Sequence, residues 1–442
     1  MKSEPDIKIR PPGPKSKQIV ARDHKIIATS TKTSPLVVKR GEGVFIEDVD
    51  GNTFLDFTSG VGVLNVGQRH PKVVKAIHDQ TDRFLHYAGT DFYYNAQTRL
   101  AETLERITPG KFPKKVFFTN SGAEAVEAAI KLTRRYTRKP RFIAFIRAFH
   151  GRTMGALSLT ASKPVHREGY FPTMPGVTHI PYAYCYRCPY KLEYPSCGVW
   201  CAKILDEVYF QSVVPPDDVA ALFLEPVQGE GGYVVPPKKF IPELKKILDK
   251  YKIMMVDDEI QAGFGRTGKM FAIEHFGRIE PEVIAAAKGM GSGMPIGAII
   301  FKSKYDFGES GAHSNTYGGN LLACVASQAT IDVIKREKLI ANARTQGEYL
   351  NQRLLELQDD YKLIGDVRGL GLMQVTELVK NRRTKEPAKA ERDSIVKSAF
   401  KRGLVLLPCG TSGIRYIPPL IITSEQIDMA MEIMEQCFRR VK

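Results

Sequence analysis

From residue 41 the chain alternates apolar and polar positions through GEGVFIEDVDGNTFLDFTSG, and Asp50-Gly51 at its centre supplies a turn. The pattern predicts an antiparallel hairpin. Residues 1–35 are polar and Pro-rich at first, then loosely helical, and read as an arm packed on something larger. After His70-Pro71 the period lengthens to that of a helix, through Val73, Val74 and Ile77 and again in TRLAETLERI. The middle of the chain then turns to short apolar runs separated by helical stretches: Lys115 to Thr119, Arg141 to Ile146, Val219 to Leu224, Ile253 to Asp257 and Val283 to Ala287. Such alternation predicts βαβ units and a mostly parallel sheet covered on both faces. GAIIFKS follows Lys288 too closely for a helical crossover and is expected to return antiparallel.

Beyond residue 320 the sequence predicts two long amphipathic helices, ACVASQATIDVIKREK and ANARTQGEYLNQRLLELQDDY. Strand-like GLGLMQVTEL, VLLPCG and GIRYIPP follow, then a helix near SEQIDMAMEIMEQCFRR. The basic stretch VKNRRTKEPAKA reads as a solvated loop. The expected fold class is α/β: a large domain over residues 76–329 with a mostly parallel sheet, and a smaller α+β domain. That smaller domain is assigned to both chain ends, the arm and hairpin of residues 1–75 and residues 330–442.

Composition narrows the class. Hydrophobic residues make up 43% and charged residues 25% of the 442, with no apolar run near the ~20 residues that cross a bilayer. The N-terminal MKSEPDIKIRPPGPKSKQ lacks the apolar core of a signal peptide, and Glu4 and Asp6 sit badly in a mitochondrial presequence; a cytoplasmic location is expected. Lys and Arg outnumber Asp and Glu by 64 to 48, a formal +16, yet the basic residues are scattered and no nucleic-acid module is visible. Cys185, Cys188, Cys197 and Cys201 run C-x2-C-x8-C-x3-C. That spacing is open to a structural zinc ion, to disulfides, or to small buried apolar residues; no catalytic metal is expected, because four thiolates would close the site.

The candidate chemistry sits where predicted strands end, the edge at which open parallel sheets bind ligands. After KKVFFTN, Ser121 is placed to cap a helix with Glu124 three positions on, and such a helix start is either an ordinary cap or an anion site for phosphate. After RFIAFI come Phe149, able to cover a flat ligand or to join the core, and Arg152, able to clamp a carboxylate. Glu225 ends VAALFLE, where a carboxylate is often only a solvated cap. Asp257, Asp258 and Glu259 follow KIMMV, and burying three acids requires that at least one meet a cation, such as a protonated ring nitrogen. Lys288 closes the last run, about thirty residues after Asp258, one βα unit further on. Alone it reads as a solvent-facing loop lysine; a buried amine there would need an anion, a lowered pKa or a covalent bond to a carbonyl. Together the strand ends supply what a phosphorylated pyridine aldehyde, pyridoxal 5′-phosphate (PLP), requires.

GEGVFIEDVDGNTFLDFTSG, GQRHP, TNSGAEAVEAAIKL, FHGRT, EPVQGEGG, DEIQAGFGRTG, AAKGMGSGMPIGA, NTYGGN and VRGLGLM occur in this order. On these motifs the chain resembles the class III, or ω-, aminotransferases of PLP fold type I, the group that contains 4-aminobutyrate, ornithine and acetylornithine aminotransferases. The resemblance implies that Lys288 joins the cofactor's aldehyde as a Schiff base and serves as catalytic base, and that Asp258 holds the pyridine nitrogen protonated. It implies Ser121, Gly122 and Ala123 at the phosphate, Phe149 on the ring followed by His150, and Gln261 near the 3′ oxygen. Thr316 would reach the phosphate of a neighbouring subunit, so a homodimer, or a dimer of dimers, is expected. Arg368 is expected to bind an α-carboxylate and Arg152 the carboxylate at the substrate's other end. Glu225 is expected to gate Arg368 by pairing with it while an ω-amino donor is bound. GQRHP replaces the family's usual GHxHP, and Leu321 stands where proline usually follows GGN.

The implied reaction moves an amino group from an ω- or α-amino acid to a keto acid such as 2-oxoglutarate. Amino-acid racemases and epimerases share the same fold and motifs. They need a second acid or base, for which Tyr93, Tyr94 and His150 are candidates, and no keto acid. Pocket residues on loops, such as Val61, Gly62 and Tyr87, are expected to set the substrate.

Overall fold

The computed structural model describes residues 3–440. At its centre is a seven-stranded sheet in the order Lys114–Thr119, Gly297–Lys302, Val283–Ala286, Met254–Asp258, Val219–Leu224, Arg141–Phe145, Val177–Ile180. Neighbours from Val283–Ala286 outward to Val177–Ile180 pair parallel. Gly297–Lys302 runs against both its neighbours, with Ile299 opposite Phe117 on one side and Ala285 on the other. The short stretch after Lys288 allows no crossover, as its length predicted. All six residues of Val219–Leu224 are buried, as a strand covered on both faces must be. Val177–Ile180 escaped the sequence reading: it has four residues, and VTHI carries too little apolar pattern to stand out.

The helix Gly122–Thr137 leaves the first of these strands. Ser121 caps it by accepting from the Glu124 N–H at 3.2 Å, but the reciprocal arm of the expected capping box is shifted by one residue. The Glu124 carboxylate accepts from the N–H and side-chain amide of Asn120, both at 2.9 Å, instead of from Ser121. Asn120 is thereby fixed at the sheet edge.

The predicted hairpin forms from Phe45–Asp48 and Thr53–Asp56, with Val38–Glu42 beside it. Leu404–Val405 joins the same sheet parallel to Thr53–Asp56, so residues near both ends of the chain share it. The arm contains the helix Pro14–Ile26, tied to the hairpin where the Asp50 carboxylate accepts the N–H groups of Lys15 and Ser16.

A third sheet is built from Ile364–Leu370, Met373–Asn381, Gly413–Tyr416 and Leu407–Cys409. Two expectations need correction here. GLGLMQVTEL is not one strand but the turn and second arm of a hairpin: Gly371 has φ +52°, and a Cβ there would lie 2.4 Å from the Thr267 backbone. VKNRRTKEPAKA is not a loop, because its first residues finish Met373–Asn381 and Glu386–Pro387 pairs back on that strand. Arg382 within it donates to the Ile364 carbonyl at 3.0 Å. The two long helices are Leu321–Arg336 and Leu339–Asp360. Asn320 caps the first by accepting from the Leu322 N–H, so a leucine at position 321 starts the helix without proline. Among the described residues no helix is long and apolar enough to cross a membrane.

Candidate active site

The carboxyl ends of the parallel strands open into a cavity of about 690 Å³. Lys288 lines it, half-buried, two residues past the end of the strand Val283–Ala286. Its backbone is left-handed, φ 44°, a conformation that costs a non-glycine residue energy and that the Gly-Met-Gly turn after it holds in place. Burial pushes the Lys288 amine below its usual pKa, with the Asp258 carboxylate acting in the opposite direction. A neutral amine is the form that attacks a carbonyl or takes a proton.

Asp258 ends its own strand in the same cavity, and its carboxylate is held at both oxygens. Oδ2 lies 2.7 Å from Nδ1 of His150, and Oδ1 accepts the Ile260 N–H at 3.1 Å. Burial opposes a charge on His150, yet the hydrogen bond and charge of Asp258 prevail, and the His150 pKa is raised. Of the three consecutive acids, Asp258 is thus the one that meets a cation. Asp257 points to the other face of the strand with no partner for either oxygen among the described residues, and burial raises its pKa well above the usual range. Glu259 is raised by burial to about 8, although it accepts the Ile273 N–H at 2.7 Å.

Ser121, Gly122 and Ala123 bring the first turn of their helix to the cavity. N–H groups of a first turn have no acceptor one turn back within the helix, and with the dipole they suit an anion. Phe149 and Arg152 lie on the opposite strand's loop, with the guanidinium 5.9 Å from the ring centroid. Gln261 also lines the cavity, and its buried Oε1 has no partner among the described residues. A buried amine, a carboxylate fixed beside a histidine, an open helix start and an unsatisfied amide fit a phosphorylated pyridine aldehyde.

The expected gate is different in the structure. Glu225 lines the cavity, but its oxygens accept the N–H groups of Phe149 and Gly229, each at 2.8 Å, and no guanidinium among the described residues pairs with it. Because Glu225 ends a central strand, the loop backbones on either side satisfy it first; burial raises its pKa to about 7. Arg368 does not line the cavity. It pairs with Asp366 at 2.5 Å and Glu377 at 2.8 Å and lies over the Tyr184 ring. Besides Arg152, Arg415 lines the cavity, from the strand Gly413–Tyr416, 3.4 Å from Glu230. Glu230 and Arg415 escaped the sequence reading. The available signal was a charged residue within the apolar strand GIRYIPP and an acid between the glycines of QGEGG.

Thr316 is exposed and lies outside this cavity, as does exposed Tyr87, whereas Val61 lines it. Among the racemase candidates, Tyr93 is exposed, Tyr94 is buried with its hydroxyl on the Tyr87 N–H, and only His150 borders the cavity. Cys185, Cys188, Cys197 and Cys201 are free thiols around a separate cavity of about 20 Å³. Among the described residues no three side chains are grouped to hold a metal.

The aminotransferase class-III family pattern matches residues 26–438. The chain belongs to this family of PLP-dependent enzymes, and PLP is its cofactor. It is 41% identical to the alanine/serine racemase of Pyrococcus horikoshii, over 98% of this chain and 93% of that protein. It is 37% identical to a probable 4-aminobutyrate aminotransferase of Bacillus subtilis, over 90% of this chain and 92% of that one. A solved Bacillus anthracis aminotransferase superposes with a TM-score of 0.90 at 28% identity, covering 97% of this chain and 99% of its own.

Proposed function

We propose that the chain transfers an amino group from an α- or ω-amino acid, of the 4-aminobutyrate or ornithine kind, to 2-oxoglutarate. The observation that carries this reading is Lys288 sharing one cavity with the Asp258 and His150 pair and with Arg415. Bound PLP supplies an aldehyde that takes up an amino group and a ring that draws electrons from the neighbouring carbon. Lys288 Nζ holds that aldehyde between turnovers and moves the proton at the substrate carbon. Asp258, oriented by His150, keeps the ring nitrogen protonated. The first turn at Ser121, Gly122 and Ala123 holds the phosphate, Phe149 covers the ring, Gln261 sits beside its oxygen, and Thr316 reaches the phosphate of a partner subunit in a cytoplasmic homodimer. Residues 76–329 form the PLP-binding domain, and residues 1–75 and 330–442 the smaller one.

In place of the Glu225 and Arg368 gate, Arg415 takes the α-carboxylate and Glu230 screens it when the donor has none; Arg152 serves the distal carboxylate. A second reading, racemisation, is favoured by the racemase relative and by Glu230. That carboxylate borders the cavity without being tied to backbone N–H groups as Glu225 is, and it is placed to act as a second acid or base. Holding the enzyme with one L-amino acid separates the two. Amino transfer needs 2-oxoglutarate and yields its glutamate stoichiometrically, whereas D-isomer formed without any keto acid establishes racemisation.

A further inference from the structure

Glu230 has two cationic neighbours, and the closer one is not Arg415. Lys163 Nζ lies 2.5 Å from Oε1 of Glu230, a charge-assisted hydrogen bond, whereas Arg415 Nη1 stands 3.4 Å from Oε2, beyond good hydrogen-bond distance. Arg415 is almost fully buried, and its Nε has no partner among the described residues. A guanidinium so placed is left with donors to offer a ligand. Lys163 does not reach Glu230 by chance of a loose loop. Its segment is pinned two residues earlier, where Ala161 exchanges backbone hydrogen bonds with Arg147 (3.0 Å) and Ala148 (2.9 Å), and it enters a short helical turn, Pro164–His166. The other carrier is fixed too, since the Glu230 carbonyl accepts the Gly410 N–H at 2.9 Å.

We infer that Lys163 is a specificity-determining residue: it holds the Glu230 carboxylate off Arg415, keeps that arginine open to an α-carboxylate, and thereby biases the site toward α-amino acids. The inference rests on the reading of Arg415 as the α-carboxylate receptor. Without Lys163, Glu230 has a single cation to neutralise it and closes on Arg415, which must then be pried free by each α-amino acid. A donor without an α-carboxylate has no use for Arg415 and loses nothing.

The test compares wild type, K163M, K163R and K163M/E230Q as holoenzymes. Isothermal titration measures propanoate binding, and initial rates give KM for alanine and for 4-aminobutyrate. In K163M, propanoate affinity should fall about fivefold to tenfold and the alanine KM should rise in step, while the 4-aminobutyrate KM stays level or falls. K163R should behave as wild type, which controls for folding. K163M/E230Q should recover propanoate binding, because the anion that closes on Arg415 is gone. Unchanged propanoate binding in K163M overturns the inference. So does a double variant as weak as K163M, which would mean that Lys163 itself grips the carboxylate, or an equal loss for both donors, which would mean only a change in overall charge. If wild type transfers or racemises neither donor, the functional reading fails, and the propanoate affinities still judge Lys163.

Discussion

The cavity has two walls of different construction. One is made where strands of the central sheet end: Asp258 and Lys288 each close a buried apolar run, and Asp258 is already bonded at both oxygens. The other is made of loops and of the third sheet, with Lys163, Glu230 and Arg415 brought from three separate stretches of chain and only partly satisfied. The first wall is committed before any substrate arrives. The second still has bonding capacity to give. Chemistry common to a family belongs in the first, and choice among substrates in the second.

Substitutions should separate the walls. The largest effect is expected from K288A, which removes the proposed attachment point and base and should lower kcat on the order of 10⁴-fold, read by single-turnover kinetics. D258N should follow, with a loss of about 10²-fold to 10³-fold in kcat and little change in the KM for either donor. On the second wall, R415A should raise the KM for alanine about 10²-fold and spare 4-aminobutyrate, the reverse of the D258N pattern. R368A should leave both KM values near wild type. Its cost should appear in urea unfolding instead, because it strands Asp366 and leaves Glu377 with only Arg187 and Tyr184, at about 3 kcal/mol.

The smallest expected effect concerns pH and stability. Burial raises the Glu259 carboxyl to about 8 in the fold from its ordinary 4.5, so the folded state keeps a proton that the unfolded chain releases. Its contribution is therefore unpenalised below about pH 4.5 and erodes as pH rises toward 8. E259Q, which can still accept the Ile273 N–H, should flatten that decline and raise Tm at pH 8 by about 2 °C, and at pH 5 by less. An equal shift at both values would show that the carboxyl is not the titrating group.

The contrast between the walls also explains what could be read from the sequence. Lys288 and Asp258 were legible because each follows an uninterrupted apolar run, and a polar residue that ends such a run lands at the sheet edge. Arg415 was not, because its place depends on the pairing of Gly413–Tyr416 with Met373–Asn381, a long-range fact that local pattern does not contain. Arg368 lies on the hairpin partner of that same strand, opposite Val375, as Arg415 does from the other side. The two arginines share a register, and Asp366, Glu377 and the carbonyls of Gly232 and Tyr233 hold Arg368 outside the cavity. Glu225 stands apart from Arg368 for a similar reason: the N–H groups of Phe149 and Gly229 take its two oxygens. Val177–Ile180 was missed because Thr178 and His179 interrupt its apolar run.

Among the described residues two lysines border the cavity, one on each wall, and the covalent role is assigned to Lys288, at the strand end. Borohydride reduction of the holoenzyme followed by peptide mass mapping tests this directly. The account predicts a pyridoxyl adduct on Lys288 and none on Lys163; an adduct on Lys163, or cofactor released without any adduct, would contradict it.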